Sequence, residues 1–145
     1  MKALITSLFL MVSSIVFADD CFQTIYRIPG VKDQFAVQKA CEGHTTEDQV
    51  RLLESCFKNL FLIPGIHERA VAISCRAVEV ENQIPLTAFC LRTVFLNPGV
   101  DGNTAARVCY GVRSEEQVKN ITSCFAGKYS NVLNAELALS ECRPH

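Results

Sequence analysis

The spacing of the eight cysteines constrains the fold of this chain more than any other feature of its sequence. The cysteines occur at positions 21, 41, 56, 75, 90, 109, 124 and 142. Successive intervals are 20, 15, 19, 15, 19, 15 and 18 residues, so long and short steps alternate with a period of about 34 residues. Such a period is typical of repeats that each consist of a pair of helices.

Other residues follow the same period. An aromatic or aliphatic residue follows the first cysteine of each unit, at Phe22, Phe57, Leu91 and Phe125. Pro-Gly followed by a β-branched residue recurs at 29–31, 64–66 and 98–100. The sequence therefore divides into three full units, 21–55, 56–89 and 90–123, and a truncated unit, 124–145, which lacks Pro-Gly. Terminal repeats often differ from internal ones because they close the stack against water.

Capping patterns predict where the helices begin. Thr46 and Ser114 are each followed three positions later by glutamine, which is the pattern of a capping box. Apolar residues at helical spacing then predict a helix from about 47 to about 62, which Pro64-Gly65 ends. The sequence predicts an all-α fold of seven or eight helices joined by short turns. These tandem helical hairpins are expected to form a short solenoid or a compact helical bundle.

The second helix of each hairpin and the middle unit have their own predicted caps. Asp33, and either Asp101 or Asn103, are expected to cap second helices. The middle unit lacks the glycine that follows Cys41 and Cys109 by two positions. There we expect Asn82 to cap the next helix, with Pro85 in its first turn, where a missing N–H costs little.

Disulfides are favoured over a metal or redox site. An even number of cysteines in an exported chain is typical of disulfides. Neither the C-x2-4-C spacing of most zinc sites nor the C-x-x-C motif of thioredoxin-like sites occurs. Two local pairings compete, one across the Pro-Gly turns and one across the turns between units, which would leave Cys21 to pair with Cys142.

Helix geometry distinguishes the two pairings. Cys56 lies about eight residues before Pro64 and Cys75 about eight residues after His67, each roughly 12 Å along its helix, so they meet at the same level of the hairpin. Cys41 and Cys56 would differ in level by about 10 Å or more, whereas a disulfide needs a Cα separation of at most about 7 Å. We therefore predict the pairs Cys21–Cys41, Cys56–Cys75, Cys90–Cys109 and Cys124–Cys142.

The first 18 residues have the pattern of a signal peptide. Lys2 precedes a mostly apolar run from Leu4 to Phe17, and Val16 and Ala18 suit a cleavage site. The run is short for a membrane span, which needs about 20 residues. We expect cleavage after Ala18 and export to the periplasm or the outside. A single disulfide-rich domain, residues 19–145, would remain, with no later transmembrane segment.

Charge and side-chain chemistry exclude several functions. The formal net charge is −1, and it becomes −2 without Lys2, so no basic field for nucleic acid is evident. The histidines, His44, His67 and His145, do not recur in the repeat, and no H-E-x-x-H, G-x-S-x-G or phosphate-binding glycine motif occurs. We therefore expect no catalytic residue, no metal and no cofactor. Asn120 begins a glycosylation sequon, which matters if the source is eukaryotic.

These features predict a secreted or periplasmic, non-catalytic module that binds another exported protein or a peptide. One alternative is a carrier whose helices enclose a small apolar ligand. Its lining would come from Phe57, Leu60, Phe61, Leu62, Phe89, Leu91, Phe95 and Leu96. The other alternative is an inhibitor of a secreted enzyme, which needs only a surface. The period is similar to that of tetratricopeptide repeats, but their Trp, Tyr and Ala positions do not align here, and no family is assigned.

Overall fold

The computed structural model describes residues 20–132 and 134–142. Within these residues the chain forms eight α-helices joined by short turns, with no strand, so the all-α prediction is confirmed. The helices are α1 (residues 20–26), α2 (Gln34–Cys41), α3 (Glu47–Leu60), α4 (Glu68–Cys75), α5 (Gln83–Phe95), α6 (Gly102–Val108), α7 (Glu115–Val132) and α8 (Ala135–Cys142). The predicted signal peptide, residues 1–18, lies outside the described residues.

Several predicted caps are present. The Thr46 hydroxyl accepts a hydrogen bond from the Gln49 backbone N–H, and Gln49 Oε1 accepts one from the Thr46 N–H, which completes the capping box of α3. Asp33 Oδ1 accepts from the Ala36 N–H at the start of α2. Of the two candidates for α6, Asp101 is the cap, because its Oδ1 accepts from the backbone N–H groups of residues 103 and 104.

The predicted cap of α5 is wrong. Asn82 occupies the N-cap position, but its backbone is helical and its side chain makes no capping bond. Gln83 Oε1 instead accepts from the backbone N–H groups of Glu79 and Val80, and the Gln83 side chain is buried. The physical reason is that the donors an N-cap side chain would bond are occupied or absent, because the Ile84 N–H donates to the Glu81 carbonyl and Pro85 has no N–H. Pro85 lies in the first turn of α5, as predicted.

The Pro-Gly turns at Gly30 and Gly65 pack tightly against the end of the first helix of the next hairpin. Gly65 has a φ angle of +81°, and a Cβ atom there would lie 2.9 Å from the ring of Phe95 at the end of α5. Gly30 has the same relation to Phe61, directly after α3, where a Cβ atom would also lie 2.9 Å from the ring. Glycine is required at these turns both by the left-handed backbone and by the close approach of the ring.

The helices make contacts in two rows. In the first row α4 packs between α2 and α6, and α6 also contacts α8. In the second row α5 packs between α3 and α7. The pairs α3/α4, α5/α6 and α7/α8 connect the rows as hairpins. The largest fully buried side chains of the core include Ile25, Leu53, Phe57, Leu60, Leu91 and Phe125. Each row therefore has one face in the core and one face in solvent.

The structure contains four disulfides, each within one hairpin. They are Cys21–Cys41, Cys56–Cys75, Cys90–Cys109 and Cys124–Cys142, with Cα separations of 5.6 to 5.9 Å. The first three span a Pro-Gly turn, and no described cysteine is free. A bond that closes a loop of this length contributes about 3 kcal/mol to stability in the chain-entropy model. Short helix pairs bury little apolar surface on their own, so these bonds compensate for a small core.

Candidate functional site

The solvent side of α5 is an unusual apolar surface, which we call the α5 face (Pro85, Leu86, Ala88 and Phe89). The Phe89 side chain is 61% exposed, Pro85 is exposed, and Leu86 and Ala88 are half-buried. Burial of the exposed part of this ring by a partner would be favourable by about 1 to 2 kcal/mol. The α5 face is therefore the leading candidate for a binding surface.

The helical period explains why Phe89 is exposed. Cys90 is fully buried because it is bonded to Cys109 inside the hairpin, and Leu91 is fully buried beside it. Successive residues of a helix are rotated by about 100° about its axis, so the residue before the cysteine emerges at the surface. In α3 and α7 the residue before the first cysteine of the hairpin is Ser55 and Ser123. Phe89 is thus an apolar residue at a position where the neighbouring helices carry serine.

Two grooves flank the α5 face. The larger has a volume of about 830 Å³ and lies between α5 and α7. It is lined by Asn82, Pro85, Leu86, Phe89 and Thr93 from the α5 side and by Glu115, Val118, Lys119 and Thr122 from α7. The smaller, about 240 Å³, lies between α3 and α5. Phe89 lines both grooves and forms the ridge between them.

The chemistry of the larger groove suits a polypeptide. Its α5 wall offers apolar area, and its α7 wall offers one carboxylate, one ammonium group and the hydroxyl of Thr122. That hydroxyl already donates to the Val118 carbonyl at 2.8 Å, so it is free to accept a hydrogen bond from a ligand. The apolar wall can contact an apolar side chain of a bound peptide. The charged and polar groups opposite can form hydrogen bonds with the backbone amides of that peptide.

The eight apolar residues predicted as a possible cavity lining do not converge. Phe57, Leu60 and Leu91 are fully buried in the core. Phe61 and Phe95 pack against the Pro-Gly turns. Leu62 and Leu96 are 77% and 80% exposed at the Pro-Gly end of the molecule, and Phe89 stands on the α5 face. These side chains are therefore distributed over the core, the turns and the surface, and they do not line one cavity.

The described histidines lie in different turns. His44 is half-buried between α2 and α3, and its Nδ1 is buried without a hydrogen-bond partner. Burial lowers the pKa of His44, the backbone of Glu42 opposes this shift, and the charge of Arg76 lowers the pKa further. His67 precedes α4 in an exposed position and makes no side-chain capping bond. His145 lies outside the described residues.

Other chemically active groups are dispersed or inaccessible. Within residues 20–132 and 134–142 no group of three or more His, Cys, Asp and Glu residues could hold a metal ion. The Ser74 hydroxyl is only 1% exposed and has no hydrogen-bond partner, so a substrate could not reach it in this fold. Asn120 lies on the exposed side of α7. None of the described helices has both the length and the apolar character needed to cross a bilayer.

Comparisons with protein-family models, with curated proteins and with solved structures give no match for this chain. The structure itself defines the class as an all-helical protein held together by four disulfides. The α5 face is the feature that sequence reasoning missed. It could have been found by comparing the solvent-facing positions of the units, where Phe89 replaces Ser55 and Ser123.

Proposed function

We propose that this protein is exported and acts as a non-catalytic module that binds another exported protein or a peptide through the α5 face. The observation that carries the proposal is the exposure of Phe89 on the ridge between two grooves, at a position where α3 and α7 carry serine. The fold does not need an aromatic ring there, so the ring is available for a ligand. Aromatic side chains that become fully desolvated in a partner's pocket are common anchors of protein interfaces.

The proposal treats the fold as a short solenoid of three full helical hairpins and a truncated fourth. The Pro-Gly contacts support this view, because Gly99 approaches the Tyr129 hydroxyl as Gly65 approaches Phe95, with the same spacing in sequence. That hydroxyl also donates a hydrogen bond of 2.6 Å to the Pro98 carbonyl. Stacked helix pairs present an extended surface, and such surfaces usually recognise polypeptides.

Export is part of the proposal and has two supports. The first 18 residues have the pattern of a signal peptide. All eight cysteines are paired in disulfides, which persist in oxidising compartments such as the periplasm or the extracellular space. A partner would then be another exported protein or a peptide that is present in the same compartment.

The α5 face is large enough to give useful affinity. Burying the exposed part of one phenylalanine is worth about 1 to 2 kcal/mol, and the aliphatic atoms of Pro85 and Leu86 add to this. A groove of about 830 Å³ also lies within the range of about 300 to 1,000 Å³ that is common for ligand sites. We therefore expect removal of the Phe89 ring to weaken binding by about tenfold.

The test is selection of ligands from a random peptide library displayed on phage, with the oxidised protein, residues 19–145, as the target. Selected peptides are then titrated against the wild type and two variants. Phe89→Ser introduces the residue found at the same place in α3 and α7. Leu62→Ser is the matched control, because Leu62 is at least as exposed and lines neither groove.

Two results would oppose the proposal. The first is that no peptide is enriched over an unrelated disulfide-bonded protein. The second is that Phe89→Ser and Leu62→Ser weaken the selected peptides equally, which would mean that the α5 face has no special role.

The two alternatives predict different results. A carrier of a small apolar ligand should show a mass excess of a few hundred daltons in native mass spectrometry of protein purified from its source, whereas a polypeptide partner would appear as a second chain. The scattered positions of the predicted lining residues give the carrier no direct support. An inhibitor of a secreted enzyme would also bind a protein, so its inhibition should be lost in Phe89→Ser and kept in Leu62→Ser.

A further inference from the structure

A second groove lies in the other row of helices, between α2 and α4. It has a volume of about 210 Å³. Its apolar surface comes from Phe35, Ala36, Ala72 and Ile73, and its charged surface comes from Lys39, Arg69 and Arg76. Every charged side chain that lines this groove is thus a cation, although the chain as a whole has a net charge of −1. This local excess of positive charge indicates an anionic ligand.

Two of the three cations have carboxylate partners at the edge of the groove. Lys39 Nζ lies 2.7 Å from Glu42 Oε1 and 5.7 Å from the centre of the Phe35 ring. Arg69 Nε lies 2.9 Å from Asp33 Oδ2, with the arginine side chain 66% exposed. Ion pairs of this kind are worth little in water. A ligand anion that is partly shielded by the groove can therefore share these cations at little cost.

Arg76 is the cation with the greatest unused capacity. Among the described residues it makes no ion pair, and it lies on the rim between the α2/α4 groove and a second groove that contains Glu42 and His44. A guanidinium group can bind a carboxylate through two parallel hydrogen bonds, which is a strong and directional contact. An anion in the α2/α4 groove would satisfy donors of Arg76 that no side chain of residues 20–132 and 134–142 satisfies.

The size of the groove limits the apolar part of the ligand. A volume of about 210 Å³ is below the range of sites for complete small molecules and suits one side chain. The exposed ring of Phe35 and the side chain of Ile73 provide surface for that side chain. The ligand must therefore place one apolar side chain and one negative charge close together.

We propose that the α2/α4 groove binds the C-terminal residue of a polypeptide, with an apolar side chain against Phe35 and Ile73 and the terminal carboxylate on Arg76. A C-terminal residue is the simplest part of a polypeptide that carries an apolar side chain and a carboxylate on the same atom. This site lies in the opposite row from the α5 face and does not depend on it. Either site can fail in experiment while the other stands.

The experiment compares two peptides that differ only in terminal charge. Gly-Ser-Gly-Leu-Phe with a free carboxylate, and the same peptide with a C-terminal amide, are titrated into 15N-labelled oxidised protein, residues 19–145, with NMR detection of backbone amides. We expect the acid to shift amide signals of α2 and α4. We expect the amide to bind at least about tenfold more weakly, because it lacks the charge that Arg76 recognises.

Variants of single residues test the assigned contacts. Arg76→Gln should lower the affinity for the acid peptide by about threefold to tenfold. Ile73→Gln should lower the affinity for both peptides. Arg92→Gln is the matched control, since Arg92 is an exposed arginine on α5 that makes no ion pair among the described residues. Phe89→Ser should have no effect, which separates this site from the α5 face.

Several outcomes would overturn the proposal. They are equal binding of the acid and the amide, binding of neither peptide at millimolar concentration, absence of signal changes in α2 and α4, or equal effects of Arg76→Gln and Arg92→Gln. The comparison of the two peptides is made on the wild-type protein, so it does not depend on whether a variant folds.

Discussion

Helices α3 and α5 lie side by side in the same row and have the same relation to their hairpins, yet their solvent sides differ. On α3 the solvent side carries Arg51 and Ser55, and Arg51 pairs with Glu47 one turn earlier. On α5 the corresponding positions carry Pro85 and Phe89, which are both exposed. The buried sides of both helices are apolar, as the fold requires. Only the solvent side was free to vary, and its apolar character on α5 is the basis of the proposed binding role.

The two helices also begin differently. Gln49 of α3 and Gln83 of α5 both accept from two backbone N–H groups that lie three and four residues earlier. The helices differ in the N-cap side chain, because the Thr46 hydroxyl accepts from the Gln49 N–H whereas the Asn82 side chain makes no capping bond. The following predictions test how far the difference between α3 and α5 extends, from the largest expected effect to the smallest.

Removal of one disulfide should destabilise both hairpins to the same extent. We expect the double variants Cys56→Ala/Cys75→Ala and Cys90→Ala/Cys109→Ala each to lose about 3 kcal/mol of unfolding free energy, because both bonds close a loop of the same length. The sequence separation is 19 residues in each case. Guanidinium unfolding followed by circular dichroism measures the losses. A clear inequality would show that the hairpins differ in more than their solvent sides.

The turn that packs on the end of α5 should tolerate no side chain. Gly65→Ala combines an unfavourable left-handed backbone with a contact of 2.9 Å to the Phe95 ring, so we expect a loss of about 2 to 3 kcal/mol. Gly111→Ala is the control, since Gly111 has a φ angle of +74° and no atom within 4 Å of an added Cβ. It should lose about 1 kcal/mol. Thermal unfolding distinguishes the two, and equal losses would mean that Phe95 moves aside freely.

Removal of the N-cap side chain should affect α3 and leave α5 unchanged. We expect Thr46→Ala to cost about 1 kcal/mol, because it removes the acceptor of the Gln49 N–H. Asn82→Ala should change the unfolding free energy by less than about 0.3 kcal/mol, since the Asn82 side chain makes no capping bond. Both changes are measured from the midpoints of denaturant unfolding, provided that the dependence of the unfolding free energy on denaturant concentration is the same in the variants. A loss from Asn82→Ala that matches Thr46→Ala would contradict this account of α5.

Loss of the exposed aromatic ring should hardly affect stability. We expect Phe89→Ser to change the unfolding free energy by at most about 0.5 kcal/mol, because the ring lies mostly in solvent. Phe57→Ala, at a fully buried position of α3, should cost about 3 to 5 kcal/mol. If Phe89→Ser proves as costly as a core substitution, the α5 face belongs to the core, and the proposed binding role loses its basis.

Much of the fold can be predicted from the sequence because the signals are local. The capping box at Thr46, the cap at Asp33 and the Pro-Gly bends each depend on residues within a few positions of one another. The wrong prediction at Asn82 has a local cause of another kind. Capping preferences are assigned to the residue type at the helix start, whereas here the Ile84 N–H already donates to the Glu81 carbonyl and Pro85 has no N–H to donate.

The sequence by itself determined the helices, the hairpins and the cysteines that could form disulfides. The reason is that, within a helix, the spacing of residues in sequence fixes their separation along the helix axis. Only the tertiary structure decided which side of each helix faces the core. Phe57 follows its bonded cysteine and Phe89 precedes its own, so their positions lie about 200° apart about the helix axis, and packing buries the first and exposes the second. The α2/α4 groove joins Lys39 to Arg76 across helices that are distant in sequence. Its shape depends on how those helices pack, which no local pattern specifies.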